Sequence, residues 1–171
     1  INESDPVAVR GPLATRYVQQ FLRNVAWGDV DFLILDLPPG TGDIQLTIVQ
    51  TAELDGVVVV TTPQEVALID ARKAIGLFER VETPILGVIE NMSYFQCPSD
   101  GKIYHIFGEG GGEREAAKLG VPLLGKIPLD IATRSGGDEG RPVALEDPEQ
   151  NPVSAAFRQV AEQCARVVLD R

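Results

Sequence analysis

The sequence predicts an α/β fold: a parallel β-sheet flanked by helices. Three observations predict it. Four short runs are apolar throughout rather than alternating in polarity: FLILD (32–36), GVVVVTT (56–62), PILGVIEN (84–91) and PLLGKIP (122–128). Strands buried on both faces read this way. Segments with helical apolar spacing lie between and around these runs. Polar or turn-forming residues (Asp36, Asn91 and Pro128) close three of the runs, so they belong on one sheet edge. In open α/β sheets, ligands gather beyond that carboxyl edge.

In chain order, Pro12 opens a first helix, with Leu13, Tyr17, Phe21, Leu22 and Val25 on one face. The run 32–36 is the first strand. Asp43 has the chemistry to N-cap a helix beginning near Ile44. After the strand 56–62, Thr62-Pro63-Gln64-Glu65 has the form of a capping box, which starts a helix running to about Val81. The strand 84–91 leads into an irregular, aromatic- and glycine-rich loop over 94–112. Shorter helices are expected at Glu113 to Leu119 and from Ile131 to about Ser135, on either side of the strand 122–128. The last helix, 152–170, places Val153, Ala156, Phe157, Val160, Cys164, Val167 and Val168 at helical spacing.

Bulk properties bound the function. A length of 171 residues with 44% hydrophobic and 23% charged composition suits one globular domain. A formal net charge of −10 argues against a nonspecific nucleic-acid binder and against an anionic membrane surface. No apolar run approaches the roughly 20 residues that span a bilayer. The 2 cysteines, Cys97 and Cys164, do not form a disulfide framework, which points to a reducing, cytoplasmic setting. The chain begins with Ile1, and it reads as a piece of a longer protein.

Candidate chemistry sits at the strand ends. Asp36 leaves a buried run and enters Leu37-Pro38-Pro39-Gly40. A carboxylate there serves Mg²⁺ or is satisfied by loop amides. Gly40 lets backbone approach a phosphate, because it has no Cβ. The Asn91 amide, one donor and one acceptor group, suits an adenine edge or a turn. Pro128-Leu129-Asp130 follows the next strand, and Asp130 also fits a helix N-cap. Cys97, in YFQCPSDG, is a loop thiol of the kind that ligates soft metals, with Asp100 where a C-x-x-C pair has its second cysteine. Cys164 falls on a core face. The single histidine, His105, has no recognised metal partner. Gly108-Glu109-Gly110-Gly111-Gly112 lacks the following Gly-Lys-Ser/Thr of a phosphate loop and reads as a hinge or tight turn.

Together DFLILDLPPGTGDIQLT, VVVTTPQEVALIDARKAI, ILGVIENMSYFQCP, IFGEGGG and LLGKIPLD resemble the Mrp/ApbC family of iron–sulfur carrier ATPases, a branch of the MinD-like P-loop NTPases. These five blocks stand in order across nearly the whole chain. The resemblance implies a homodimer that binds and hydrolyses ATP and transfers a [4Fe–4S] cluster to apo iron–sulfur client proteins. It assigns Mg²⁺ to Asp36, the γ-phosphate region to Gly40, and adenine contacts to Asn91, Pro128, Leu129 and Asp130. It makes Cys97 a cluster ligand.

Two departures qualify these implications. The family's phosphate loop, G-K-G-G-V-G-K-[ST], is absent from the 171 residues. The chain therefore reads as the later part of a single nucleotide-binding domain, without the first central strand, and inactive in ATP hydrolysis by itself. The family's C-x-x-C is reduced to Cys97-Pro98-Ser99-Asp100. A dimer then offers two thiolates where a cluster usually takes four; Asp100, His105 or external thiols are the ways to complete the set. Two alternatives stand beside the carrier. One is a positioning ATPase of the MinD or ParA kind, disfavoured by the balanced charge of Arg158, Glu162, Arg166 and Asp170 on the last helix. The other is a non-catalytic metal scaffold.

Overall fold

The computed structural model describes residues 11–37 and 43–170. The chain divides into two compact units, Ile1–Leu54 and Asp55–Arg171.

In the first unit, α1 (Gly11–Asn24) packs against α2 (Asp43–Thr51). Gln45, Thr47 and Ile48 of α2 are buried, and the Thr47 hydroxyl reaches Thr15 Oγ1 at 3.4 Å. The expected apolar face of α1 is largely open, with Leu13, Tyr17, Phe21 and Val25 all exposed. The expected strand over 32–36 does not form. These residues are irregular, and Ile34 is 87% exposed. An extended run becomes a strand only when a neighbour satisfies its N–H and C=O groups. No such ladder reaches 32–36 among the described residues.

The second unit carries the sheet. β1 (Val57–Thr61), β2 (Ile85–Glu90) and β5 (Leu123–Lys126) are parallel, in the order β1-β2-β5. Parallel strands need long crossovers. α3 (Glu65–Arg80) supplies the first, and α4 (Gly111–Leu119) lies within the second. Val59, Ile75, Val88 and Ala116 form a common core, so α3 and α4 are welded to the sheet by apolar burial. A charged clamp ties the same two helices. Arg72 of α3 reaches both Glu115 carboxylate oxygens, with Nε at 3.0 and 2.9 Å and Nη2 at 2.8 Å, and its Nη1 lies 2.7 Å from Glu65. The Arg72 bonds hold the Glu115 carboxyl below the usual carboxylate range.

α5 (Ile131–Asp138), a 3₁₀ turn (Val143–Leu145) and α6 (Pro152–Leu169) complete the unit. α6 packs on β5 and β2 with Val153 and Val160 buried. Asn151 caps it by accepting from Val153 N at 2.8 Å and Ser154 N at 3.3 Å, with Pro152 opening its first turn. Cys164 lies half-buried on α6 as its spacing predicts, and burial pushes its thiol pKa up. Among the described residues no helix is long and apolar enough to cross a membrane.

Two local expectations are corrected. α3 begins at Glu65 behind an extended Gln64 with ψ 136°, and no side chain caps it. Pro63 therefore lies outside the helix, and the hydroxyl of Thr62 is left buried without a partner. The loop 94–112 is also more ordered than expected. It contains an antiparallel hairpin of β3 (Phe95–Gln96) and β4 (Ile103–Tyr104).

Candidate nucleotide and cluster site

The carboxyl ends of β1, β2 and β5 are laced together by backbone. Asn91 N donates to Thr61 O at 2.7 Å, and Ile127 N donates to Glu90 O at 2.9 Å. Beyond the sheet the segments following β2 and β5 run on side by side. Ser93 N donates to Ile127 O at 2.9 Å and Leu129 N donates to Tyr94 O at 2.7 Å, and Phe95 bridges Leu129 in parallel. The structure thus brings Asn91 and Pro128-Leu129-Asp130 to one edge.

Their side chains are partly committed. Asn91 Oδ1 accepts from Met92 N at 2.9 Å, which leaves the amide one further lone pair and donation through Nδ2. Asp130 is the N-cap of α5: one carboxylate oxygen accepts from Thr133 N at 2.8 Å and Thr133 Oγ1 at 3.1 Å. Pro128, Leu129 and Asp130 line a cleft of about 290 Å³ together with Tyr94, Gln96 and Cys97. Sequence spacing alone did not join Cys97 to the 128–130 segment. A larger hollow of about 370 Å³, between the 3₁₀ turn and α6, has Arg158 as its one charged lining residue.

Cys97 follows β3 and opens the hairpin turn. The turn is closed by Cys97 N to Lys102 O at 2.9 Å and Gly101 N to Cys97 O at 2.8 Å. The sulfur lies 3.0 Å from Ser99 Oγ. That hydroxyl, with the Ser99 backbone N–H, holds the Cys97 thiol pKa below its usual value. Thiolate is the metal-ligating form, so the thiol chemistry fits a soft-metal ligand. The Asp100 carboxyl is held below its usual range, chiefly by accepting from Lys102 N at 3.1 Å. His105 stands 3.6 Å from Glu109. Among the described residues no three His, Cys, Asp or Glu side chains converge as a metal site.

Asp36 belongs to the first unit and is exposed. Nucleotide-bound Mg²⁺ is commonly held by one or two carboxylates beside phosphate oxygens and water, and a single accessible Asp fits that demand. Gly40 lies outside the described residues.

The sequence reading missed Glu90. It is fully buried, at 0% exposure, at the end of β2. Its Oε1 accepts from Ser93 Oγ at 2.5 Å and its Oε2 accepts from Gly112 N at 2.6 Å. One donor comes from the turn after β2 and the other from the first turn of α4, whose leading N–H groups have no partner within the helix. The glycines of GEGGG serve this contact. A Cβ on Gly112 would stand 2.9 Å from Glu90 Cβ, and one on Gly111 would stand 2.5 Å from Pro63 O. The motif is a close-packed helix start. The available signal was an acid embedded in the apolar run ILGVIE.

A parallel sheet flanked by helices, with polar groups gathered past its carboxyl ends, defines a nucleotide-binding α/β protein of the P-loop NTPase class. The comparisons with known proteins agree. The family model for the NUBPL iron-transfer P-loop NTPase matches residues 1–165, and the chain belongs to that family. It is 50% identical over 163 residues to an iron–sulfur cluster carrier protein of Pyrococcus horikoshii, a match covering 95% of this chain and 55% of that protein. The chain thus spans about half the length of the curated relatives it matches. A nucleotide-binding protein of Archaeoglobus fulgidus, solved with ADP, aligns with TM-score 0.68 and 43% identity over 75% of this chain and 53% of that one. The cell division ATPase MinD of Pyrococcus furiosus aligns with TM-score 0.63 and 27% identity, over 90% and 59%.

Proposed function

We propose that this chain is part of an ATP-dependent iron–sulfur cluster carrier, in which residues 1–171 belong to a single nucleotide-binding domain. The relatives named as iron–sulfur cluster carriers support the cargo. The neighbour solved with ADP supports the nucleotide. ATP binds past the carboxyl ends of the strands, with Asn91 and Pro128–Asp130 toward the adenine, Gly40 near the γ-phosphate and Asp36 serving Mg²⁺. Mg²⁺ supplies charge neutralisation on the phosphates. Cys97 is the chain's ligand to the transported [4Fe–4S] cluster. A homodimer brings two such thiolates together, and the cluster passes from there to apo client proteins.

The observation that carries this reading is the shared cleft. The thiol with the lowered pKa and the 128–130 segment line one hollow at the sheet edge. Nucleotide and cluster sites are then close enough for one to influence the other.

The test uses the full-length protein. Asp36→Ala abolishes ATP hydrolysis, and Cys97→Ala removes iron and sulfide from anaerobically reconstituted protein. Unchanged turnover in the first variant rejects the role of Asp36. Equal iron in Cys97→Ala and parent rejects Cys97 as a ligand.

A further inference from the structure

The excursion that carries Cys97 leaves the sheet at Asn91 and returns at the start of α4. On its own it is weakly built. Its two strands have two residues each, and so short a hairpin does not hold its shape without support. Something outside it must fix its geometry.

The two ends of the excursion meet at one group. Ser93, just past the turn at the end of β2, donates its hydroxyl to Glu90 Oε1 at 2.5 Å. Gly112, in the first turn of α4, donates its N–H to Glu90 Oε2 at 2.6 Å. Glu90 itself is fixed in β2, paired on both sides by β1 and β5. The turn at the entry is a constrained one, because Met92 takes a left-handed φ of 52° without being glycine. At the exit, Gly111 and Gly112 are the residues whose missing Cβ atoms allow the approach.

We infer that Glu90 is a positioning residue for the cluster site: its one buried carboxylate pins both ends of the Cys97 excursion to the central strand. The next residue is Asn91, so the same pin fixes the nucleotide edge relative to the thiol. This inference rests on the reading of Cys97 as a cluster ligand, but its geometric part is testable without a cluster. If the pin is released, the hairpin frays and the Ser99 hydroxyl no longer sits against the sulfur.

Three variants of the full-length protein test this: Glu90→Ala, Ser93→Ala and Glu90→Gln. Folding is checked by circular dichroism. Amide hydrogen exchange of residues 93–112 is followed by mass spectrometry, and iron retention is measured after anaerobic reconstitution. In Glu90→Ala and Ser93→Ala the amides of residues 93–112 exchange faster than in the parent. Iron retention weakens roughly tenfold, the low end of what losing a supporting shell costs a metal site. Glu90→Gln restores much of both, since its amide accepts from Gly112 N and donates to Ser93 Oγ. If Glu90→Ala does not fold, Ser93→Ala decides, because it removes the entry bond alone. A folded Ser93→Ala variant with the parent's exchange rates over 93–112 overturns the inference. A parent protein that holds no iron rejects the carrier reading instead, while the exchange rates still decide the role of Glu90.

Discussion

Two apolar runs of this chain end in a carboxylate and have opposite fates. Phe32 to Asp36 is irregular and open, with Ile34 87% exposed. Ile85–Glu90 is a central strand whose Val88 and Glu90 are both at 0% exposure. Composition does not separate them. Neighbours do. β2 has a parallel partner on each side and helices packed over it, so its backbone is paired and its side chains are mostly buried. The 32–36 run has no ladder among the described residues. The carboxylates diverge for the same reason. Asp36 stays accessible to a cation, whereas Glu90 is sealed in and becomes a structural anchor.

The largest expected effect sharpens that contrast. Leu68→Ala removes a 1% exposed side chain from α3 and costs about 2–5 kcal/mol in urea denaturation. Ile34→Ala stays within about 0.5 kcal/mol, as substitutions in open positions do. An Ile34→Ala cost comparable with that of Leu68→Ala breaks the comparison, because it means the run is buried as a strand in solution. Next in size is Gly111→Ala. Its Cβ meets the Pro63 carbonyl, part of a backbone that cannot swing aside, and overpacking of this kind costs about 1–3 kcal/mol. A neutral Gly111→Ala variant refutes the close approach of α4 to the end of β1.

The smallest effect is in the pH dependence. Glu115 has its folded pKa lowered, mainly by the Arg72 hydrogen bonds. A depressed acid stabilises the fold above its unfolded pKa, and that contribution disappears as pH falls through the lower folded value. The melting temperature therefore drops on acidification below the usual glutamate range, and Glu115→Gln shows a shallower drop. Parallel acid limbs in the two proteins remove Glu115 from the account.

The class of fold was legible, because buried parallel strands leave non-alternating apolar runs. The runs at 56–62, 84–91 and 122–128 contain β1, β2 and β5. The last helix matched to within a residue, since its apolar residues recur at helical spacing along its whole length. The capping box at Thr62 misled, because its four letters fit the motif while the extended backbone at Gln64 delays the helix to Glu65. Within the candidate site, Asn91 and Pro128–Asp130 were placed together from strand ends alone, and the backbone pairing of 93–94 with 127–129 is the physical counterpart. What joins that edge to Cys97 was not legible, because it depends on a cleft between segments thirty-odd positions apart.

By itself, then, the sequence determined which segments become strands and helices where local pattern suffices, and which chemical groups stand at the carboxyl edge. Periodicity and capping are short-range properties, written in consecutive residues. Only the tertiary structure decided which apolar run finds partners, that GEGGG is a packing contact, and that Glu90 is sealed between Ser93 and Gly112. Those outcomes depend on distances between residues far apart in the chain. A carboxylate's burial is fixed by what surrounds it in space.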